Sequence, residues 1–332
     1  MNTTGCWDAE EVSTASAGTS ALPANTKLIF LVGAPRSGTT WLQLLLSASP
    51  AIATAQETHL FNVYLRSLFV CWKSHRDGQA PIGLPHVFGE TEYLALIREL
   101  AAKVMMHILA AKPGATIVLE KTPGHALCWR DILAVFPDAC FIHIIRDPRS
   151  VVASMRAASR GWGSDWAPRR LPDACAQWDA HVRAGREIGH ATKNYLELYY
   201  RDLRNDAVST LRSVFAWCGV DASETETDAI LKEHEIDRLR SGKELPIGPA
   251  PAAGFFRRGE TEGWRKDLSA REIWLVEQLT GKLMAELGYD PDQRVSRTWR
   301  FASILPALAA DWFRDGMAWR LQKYGNVLKC GF

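Results

Sequence analysis

The 332-residue chain lacks an excess of either charge: 39 lysines and arginines stand against 37 aspartates and glutamates. This balance argues against a broad nucleic-acid surface and favours small anionic ligands held by local basic clusters. No apolar run is long enough to span a bilayer, and the first residues lack the pattern of a secretory signal. The seven cysteines are odd in number and form no CxxC pair, which favours reduced thiols over disulfides or a zinc site. We therefore expect a cytoplasmic protein without nucleic-acid partners.

Apolar strand-like runs alternate with helical patterns along most of the chain, which predicts an α/β fold with a central parallel sheet flanked by helices. In such a fold the functional loops gather at the carboxyl ends of the strands. Strands are predicted at 28–32, 51–55, 116–119, 140–145 and 195–200. Helices are predicted at 39–47, 62–75, 91–111, 129–136, 174–192, 205–217 and 270–287, and another follows Arg146-Asp147-Pro148 and runs through Met155.

The stretch from Lys27 to Pro50 contains the first candidate site. An apolar strand breaks at Gly33, and a helix begins near Thr39, so the helix N-terminus can hold a phosphate. Glycines let the backbone approach a ligand, and polar side chains add charge and hydrogen-bond donors. The residues of this phosphate loop that we expect to bind an anion are Arg36, Ser37, Gly38, Thr39 and Thr40.

The loop departs from that of nucleoside triphosphatases. It has the GxxxxG spacing, but Thr39 stands where those enzymes need Lys, and the cation is Arg36 instead. The run PRSGTTW resembles the 5′-phosphosulfate loop of sulfotransferases that use 3′-phosphoadenosine 5′-phosphosulfate. The alternative for this stretch alone is a glycine turn that only packs a helix on a sheet.

Three further segments resemble nucleotide-binding motifs of the same family. Arg146 at a strand end and Ser154 eight residues later match its 3′-phosphate signature, although a surface ion pair with Asp147 is the alternative. GFFRRGETEGW resembles the family's lid, with Glu-Gly-Trp where Gly-Asp-Trp is common. YRDL and the Trp after the phosphate loop resemble residues near the adenine, although core aromatics are equally compatible. The residues implied by the lid and adenine segments are Arg257, Arg258, Gly259, Tyr200 and Trp41.

The resemblance also implies a catalytic set. Lys121 in EKTPGH matches the catalytic-lysine strand and would stabilise the leaving phosphate together with Arg36. Soluble phenol and alcohol sulfotransferases have a His two residues after that Lys. Pro123 stands at that position here, and His125 is the nearest substitute. QETHLF resembles the segment in which carbohydrate and tyrosyl-protein sulfotransferases carry a catalytic Glu. Glu57 is therefore the expected base, with His59 beside it at the acceptor.

The chain thus resembles the sulfotransferase superfamily over residues 27–287. The resemblance implies a P-loop-type three-layer fold, 3′-phosphoadenosine 5′-phosphosulfate as co-substrate, no metal, and sulfuryl transfer to a hydroxyl of a sugar, lipid or natural product. We expect a disordered segment at 1–25, a sulfotransferase domain at 26–290 and a C-terminal helical extension at 291–332. The broken segment 159–173 either borders the acceptor site or is a plain surface loop.

Two other functions fit part of the sequence. A P-loop kinase shares the scaffold but needs the missing Lys and a magnesium-binding acid, and it gives no reason for a 3′-phosphate motif. A nucleotide-binding scaffold without turnover is suggested by the C-terminal extension, in which aromatic residues alternate with Arg and Lys. That extension is compatible with a membrane interface, with a homo-oligomer contact, or with a helix packed on its own domain, which is the commonest case.

Overall fold

The computed structural model describes residues 22–240, 247, 252–257 and 259–293. Its five parallel strands form one sheet in the order β2-β3-β1-β4-β5. The strands are β1 (Lys27–Gly33), β2 (Ile52–Thr54), β3 (Ile117–Lys121), β4 (Cys140–Ile145) and β5 (Tyr195–Tyr199). Because β1 pairs with both β3 and β4, it lies at the centre of the sheet. The predicted fold, a central parallel sheet flanked by helices, is confirmed.

Twelve α-helices lie in the described part of the chain. They are α1 (Thr39–Ser47), α2 (Arg66–Asp77), α3 (Glu90–Ala110), α4 (Trp129–Val135), α5 (Pro148–Ser159), α6 (Leu171–Ala191), α7 (Tyr200–Asn205), α8 (Ala207–Cys218), α9 (Glu224–Glu233), α10 (Ile236–Leu239), α11 (Trp264–Asp267) and α12 (Ala270–Glu286). A π-helical turn covers Leu60–Tyr64, and 3₁₀ turns cover Leu84–His86 and Pro123–Cys128.

Two predicted elements were wrong in detail. The predicted helix 62–75 is a π-helical turn followed by α2, because the turn makes hydrogen bonds of longer span from Leu65 back to Leu60. The predicted last strand ends at Tyr199, and Tyr200 instead begins α7. The β-propensity of adjacent tyrosines favoured the longer strand, but the chain turns there to carry Tyr200 over the sheet edge.

Side chains of β1 alternate between two cores. Phe30 and Val32 pack on the face covered by α2, α3 and α4, whereas Ile29 and Leu31 pack on the face covered by α1 and α8. This alternation follows from the two-residue period of a strand, and burial on both faces explains why β1 is continuously apolar. A third cluster joins α5, α6 and α12 and supports the carboxyl edge of β4.

Because all five strands are parallel, their carboxyl ends meet at one edge of the sheet. Gly33, Lys121 and Ile145 end β1, β3 and β4 there, and Tyr200 follows β5 directly. The phosphate loop, the 3₁₀ turn that contains His125 and the start of α5 therefore share this edge, as expected for a ligand site in an open α/β sheet.

Some predictions fall on residues that are not described. Residues 1–21 and 294–332 lie outside the described ranges, so the disordered N-terminal segment and the C-terminal extension stay predictions. Within the described residues, no helix combines the length and the apolarity needed to cross a membrane.

The geometry of the phosphate loop predicts that Gly38→Ala is more destabilising than Gly114→Ala, a change at a glycine of similar φ in open space. Gly38 has φ 99°, where a side chain costs about 1–2 kcal/mol, and an added Cβ would lie 2.6 Å from Cδ2 of Tyr200. The matched control is Gly114→Ala, with φ 86° and no atom within 4 Å. In urea unfolding we expect Gly38→Ala to lose at least about 1 kcal/mol more than the control, as overpacking typically costs. Equal losses would contradict close packing of Tyr200 on the loop.

Candidate active site

A cavity open to solvent lies at the carboxyl edge of the sheet, with a volume of about 730 Å³ when the solvent at its mouth is included, and we call it the central cavity. It is bounded by the phosphate loop, the start of α5, Tyr200 and residues of the predicted lid. Its lining includes Arg36, Gly38, Thr39, Thr40, Trp41, Arg146, Ser150, Ser154, Tyr200, Ile236, Phe255, Phe256, Arg257, Gly259, Glu260, Gly263, Trp264 and Asp267. Most of the predicted nucleotide-binding residues are therefore brought together.

The phosphate loop presents the N-terminus of α1 to the central cavity. Gly38 is the residue before the helix, and the first turn contains no acidic side chain to compete for its amides. Arg36 has φ 73°, a left-handed conformation that is uncommon for a residue with a side chain. Such backbone strain persists where surrounding structure enforces it, and it is frequent at ligand sites.

Arg36 connects three parts of the site. Its Nε donates to Oγ of Ser154 at 3.1 Å, and its Nη2 donates to the backbone carbonyl of Phe255. Its guanidinium also lies 5.1 Å from the ring centroid of Trp162 and 4.7 Å from that of Phe255. The phosphate loop, α5 and the lid therefore meet at one cation.

Arg146 lies directly beside this contact. Its Nη1 donates to the carbonyl of Arg36 at 3.3 Å, and its Nη2 donates to the carbonyl of Glu260 at 3.0 Å. Its guanidinium stacks 4.1 Å from the ring centroid of Tyr200. Its Nε is buried without a partner among the described residues. A buried donor left unsatisfied in this way fits an anion site better than a surface ion pair.

Burial and neighbouring positive charges lower the pKa values of Arg36 and Arg146. Burial, followed by the charges of Arg146 and Arg257, lowers the pKa of Arg36 to about 10, and Glu57 opposes the shift. Burial also lowers the pKa of Arg146. A group whose charged form is disfavoured by burial and by like charges gains from a bound anion. The electrostatics of the central cavity therefore suit a ligand with several negative charges.

Tyr200 ties the sheet edge to the lid. Its hydroxyl donates to the carbonyl of Gly259 at 2.8 Å, and its ring packs edge-on against Trp41 with centroids 5.8 Å apart. The Trp41 indole donates to the carbonyl of His234 at 2.9 Å. These aromatic side chains form one wall of the central cavity, which Ile236 also lines.

The predicted catalytic residues converge beside the phosphate loop. Nζ of Lys121 lies 2.5 Å from Oε1 of Glu57 and 3.2 Å from Oγ1 of Thr40, which lines the central cavity. Nε2 of His59 lies 3.6 Å from Oε2 of Glu57. Lys121 is 2% exposed, whereas the Glu57 and His59 side chains are 32% and 46% exposed. A buried cation thus holds an accessible carboxylate, which we call the Glu57–Lys121 pair.

His125, the alternative base, lies in the interior. It is fully buried, its Nδ1 lies 2.7 Å from Oε2 of Glu120, and its Nε2 accepts from the backbone N–H of Phe61 at 3.1 Å. Both ring nitrogens are occupied. The geometry therefore favours Glu57 over His125 as the group that meets an acceptor.

Three predicted residues stand apart from the rest. Ser37 is fully buried, does not line the central cavity and has a hydroxyl without a partner among the described residues. Arg258 lies outside the described residues. Arg257 lines the cavity, but its Nη2 also pairs with Oδ2 of Asp267 at 3.0 Å.

Sequence reasoning missed the aromatic residues around Arg36. Trp162 lies in the broken segment 159–173, and Phe255 lies in the lid motif GFFRRGETEGW, of which only Arg257, Arg258 and Gly259 were predicted to bind the nucleotide. The only sequence signal was the clustering of aromatics in segments rich in Gly and Pro. Such segments have no hydrophobic period from which a facing partner could be read.

Comparison with known proteins identifies the family. A sequence model described as the sulfotransferase family matches residues 29–224, more than half of the chain. The chain belongs to the sulfotransferase family. Sulfuryl transfer is therefore confirmed over the kinase alternative. Sulfotransferases use 3′-phosphoadenosine 5′-phosphosulfate as co-substrate, so this prediction is also confirmed.

Two curated relatives illustrate how far this sulfotransferase has diverged. Protein-tyrosine sulfotransferase 1 of Danio rerio is 31% identical over 271 residues, covering 80% of this chain and 72% of its own length. Nodulation protein NoeE of Sinorhizobium fredii (strain NBRC 101917 / NGR234) is 24% identical over 292 residues, covering 81% of this chain and 68% of its own.

Solved structures share the fold of this sulfotransferase. Mouse sulfotransferase SULT7A1 complexed with PAP aligns with a TM-score of 0.54 and 18% identity, over 81% of this chain and 89% of that chain. The sulfotransferase domain from the curacin biosynthetic pathway aligns with a TM-score of 0.53 and 18% identity, over 82% and 100%. At this identity the likeness concerns the fold alone.

The hydrogen bond from Tyr200 to Gly259 leads to a prediction about the lid segment, defined as residues 252–257 and 259–263. Tyr200→Phe removes a bond worth about 1 kcal/mol, so amide hydrogen exchange in the lid segment should become roughly fivefold faster. The matched control is Tyr199→Phe, because the Tyr199 hydroxyl that it removes donates to Glu197 at 2.8 Å and not to the lid segment. Equal exchange in the two variants would mean that the Tyr200 hydroxyl does not retain the lid segment.

Proposed function

We propose that the central cavity holds 3′-phosphoadenosine 5′-phosphosulfate and that Glu57 and Lys121 carry out transfer of its sulfuryl group to a hydroxyl acceptor. The observation that carries the proposal is the Glu57–Lys121 pair beside Thr40. The Lys121 ammonium lies within hydrogen-bond distance of both the Glu57 carboxylate and the phosphate loop. These are the groups that removal of an acceptor proton and stabilisation of a leaving phosphate require.

The two ends of the donor would bind to different arginines. Arg36 and the first amides of α1 face the 5′-phosphosulfate, because an anion is favoured at a helix N-terminus. Arg146 and Ser154, with Arg257 of the lid, take the 3′-phosphate. The aromatic wall of Trp41 and Tyr200 borders the adenine. The unpartnered Nε of Arg146 and the mutual repulsion of these arginines support an anion at both ends.

Transfer proceeds as an in-line displacement. The acceptor hydroxyl gives its proton to Glu57, its oxygen forms a bond to sulfur, and the bond from sulfur to the bridging phosphate oxygen breaks. Adenosine 3′,5′-bisphosphate leaves. An ammonium has three donors, and within the described residues Lys121 directs two of them to Glu57 and Thr40. The third can stabilise the departing oxygen together with Arg36. His59, next to Glu57 and partly exposed, passes the proton to water.

The acceptor is a small molecule that carries a hydroxyl, such as a sugar, lipid or natural product. The aromatic side chains near Arg36 support this class. Trp162 lies 4.9 Å from Phe255 and 5.4 Å from Trp166 between ring centroids, and Trp166 is 40% exposed. Aromatic walls with few polar groups are typical of small-molecule sites. The segment 159–173 would then border the acceptor. The cytoplasmic location and the oligomeric state stay predictions.

Substitution of the Glu57–Lys121 pair tests the catalytic roles. Glu57→Gln and Lys121→Met should each lower kcat by roughly 100-fold or more, the usual contribution of a positioned acid, base or charge. Affinity for adenosine 3′,5′-bisphosphate, measured by calorimetry, should change little. The control is Glu187→Gln, an exposed carboxylate paired with Arg130. If Glu57→Gln turns over at the parent rate, Glu57 is not the base.

The role of Arg146 predicts a selective loss of affinity. Arg146→Ala should weaken binding of adenosine 3′,5′-bisphosphate by about 10- to 100-fold, since a hydrogen bond to a charged group contributes about 1.5–3 kcal/mol. Affinity for adenosine 5′-monophosphate should change by less than about threefold, since it lacks that phosphate. Calorimetry with both nucleotides measures the difference, and Arg130→Ala serves as an exposed control. A similar loss for both nucleotides would exclude a 3′-phosphate contact.

A further inference from the structure

We propose that Glu120 is a positioning residue that, with His125, holds the segment carrying Glu57 and His59 against Lys121. The inference rests on the proposed role of Glu57 as the base. Glu120 itself is 2% exposed and cannot meet an acceptor. It acts through the chain segment that it binds.

The alternation of β3 separates the two adjacent charges. Leu119 packs with the α1 side of the sheet, and Lys121, two residues on, reaches Thr40 of α1. Val118 packs on the opposite face, so Glu120 points there, towards residues 58–61. One strand end therefore supplies a cation to the phosphate loop on one face and a carboxylate to the Glu57 segment on the other.

Four consecutive backbone N–H groups of the Glu57 segment end on this carboxylate or on groups bound to it. Thr58 N donates to Oε1 of Glu120 at 3.4 Å, and His59 N donates to Oγ1 of Thr122 at 3.3 Å. Leu60 N donates to Oγ1 of Thr58 at 3.2 Å, and Phe61 N donates to Nε2 of His125 at 3.1 Å. The amides of Leu60 and Phe61 begin the π-helical turn, and those of Thr58 and His59 directly precede it. None has a partner within the turn, so the strand end caps the turn from outside.

The side chains complete the network around Glu120. Its Oε1 accepts from the hydroxyls of Thr58 at 2.8 Å and Thr122 at 2.7 Å, and its Oε2 lies 2.7 Å from Nδ1 of His125. Because Nε2 of His125 accepts from an amide, its ring proton must sit on Nδ1 and point to Glu120. Every member therefore has a defined donor or acceptor role, which gives the segment a single arrangement.

Burial alone would raise the pKa of Glu120, but the hydrogen bonds that its carboxylate accepts from His125, Thr122 and Thr58 lower it. Glu120 is therefore ionised at neutral pH, and its carboxylate accepts these hydrogen bonds there. His59 adopts φ 52° in the same segment. An uncommon conformation of this kind requires external contacts, and the network supplies them.

Thr58 offers the mildest test, because Thr58→Val keeps the size of the side chain and removes its bond to Glu120. We expect kcat to fall by about tenfold or more, since a small displacement of a catalytic group has a large kinetic effect. The KM for the donor and the affinity for adenosine 3′,5′-bisphosphate should stay within about twofold, as expected when only a transition-state interaction is lost. Thr58→Ser should restore kcat. Thr280→Val, which removes a buried hydroxyl bond to Val276 in α12, controls for loss of a threonine hydroxyl.

A double-mutant cycle shows whether Thr58 acts through Glu57. In the Glu57→Gln background, Thr58→Val should lower kcat no further. The proposal is overturned if Thr58→Val keeps the parent kcat, if Thr58→Ser fails to restore it, or if the losses add in the double variant. Retention of the parent kcat by Glu57→Gln alone overturns the proposed base instead, so the two failures are distinguishable. Glu120→Gln should reproduce the loss, because its NH₂ group meets a donor in either orientation, the Nδ1–H of His125 or the backbone N–H of Thr58.

Discussion

The two-residue period of β3 is the constraint on which the candidate active site depends. Because successive side chains of a strand point to opposite faces, Lys121 and Glu120 leave the strand end in opposite directions. One meets the phosphate loop and the other meets the segment after β2. Glu57 and Lys121, which are 64 residues apart in sequence, become neighbours because both are attached to the same strand end.

Positive charge is concentrated at the same edge under conditions that disfavour it. Burial and the neighbouring arginines lower the pKa of Arg36, and its backbone is held in a left-handed conformation. Arg36 and Arg146 each donate a hydrogen bond to the lid, and the acceptors there are backbone carbonyls and not carboxylates. A carbonyl leaves the net positive charge in place, whereas a carboxylate would cancel it. The site therefore keeps its attraction for anions while its donors stay partly satisfied.

Much of the framework could be predicted from the sequence. The bounds of α1 and β4 matched, because each is an apolar run punctuated by Gly, Pro or a polar turn. The phosphate loop was predicted from its glycine spacing, and Arg146 was predicted from its resemblance to a family motif. Except for Ser37, these residues line the central cavity, and their roles stay predictions. The start of α7 at Tyr200 was not predictable, because no breaker separates it from β5. Trp162 was missed because loops without a period give no sign of which residue they face.

The network around Glu120 was beyond sequence reasoning for a different reason. Glu120 and Thr58 are 62 residues apart, and the π-helical turn at Leu60–Tyr64 is stable there because its first amides bond outside the turn. The helix propensity of the local sequence cannot indicate hydrogen bonds to groups outside the turn. Only the tertiary structure shows that Glu120 and Lys121, adjacent at the end of β3, contact two different segments of the chain.

The bond from Arg36 to Phe255 has a consequence for the order of events in turnover. The guanidinium contacts the lid through a main-chain oxygen, and any sulfonate or phosphate that reaches Arg36 competes with that oxygen for the same N–H. If the nucleotide binds as proposed, its arrival at Arg36 would replace the carbonyl of Phe255 as an acceptor, and its departure would let that hydrogen bond form again.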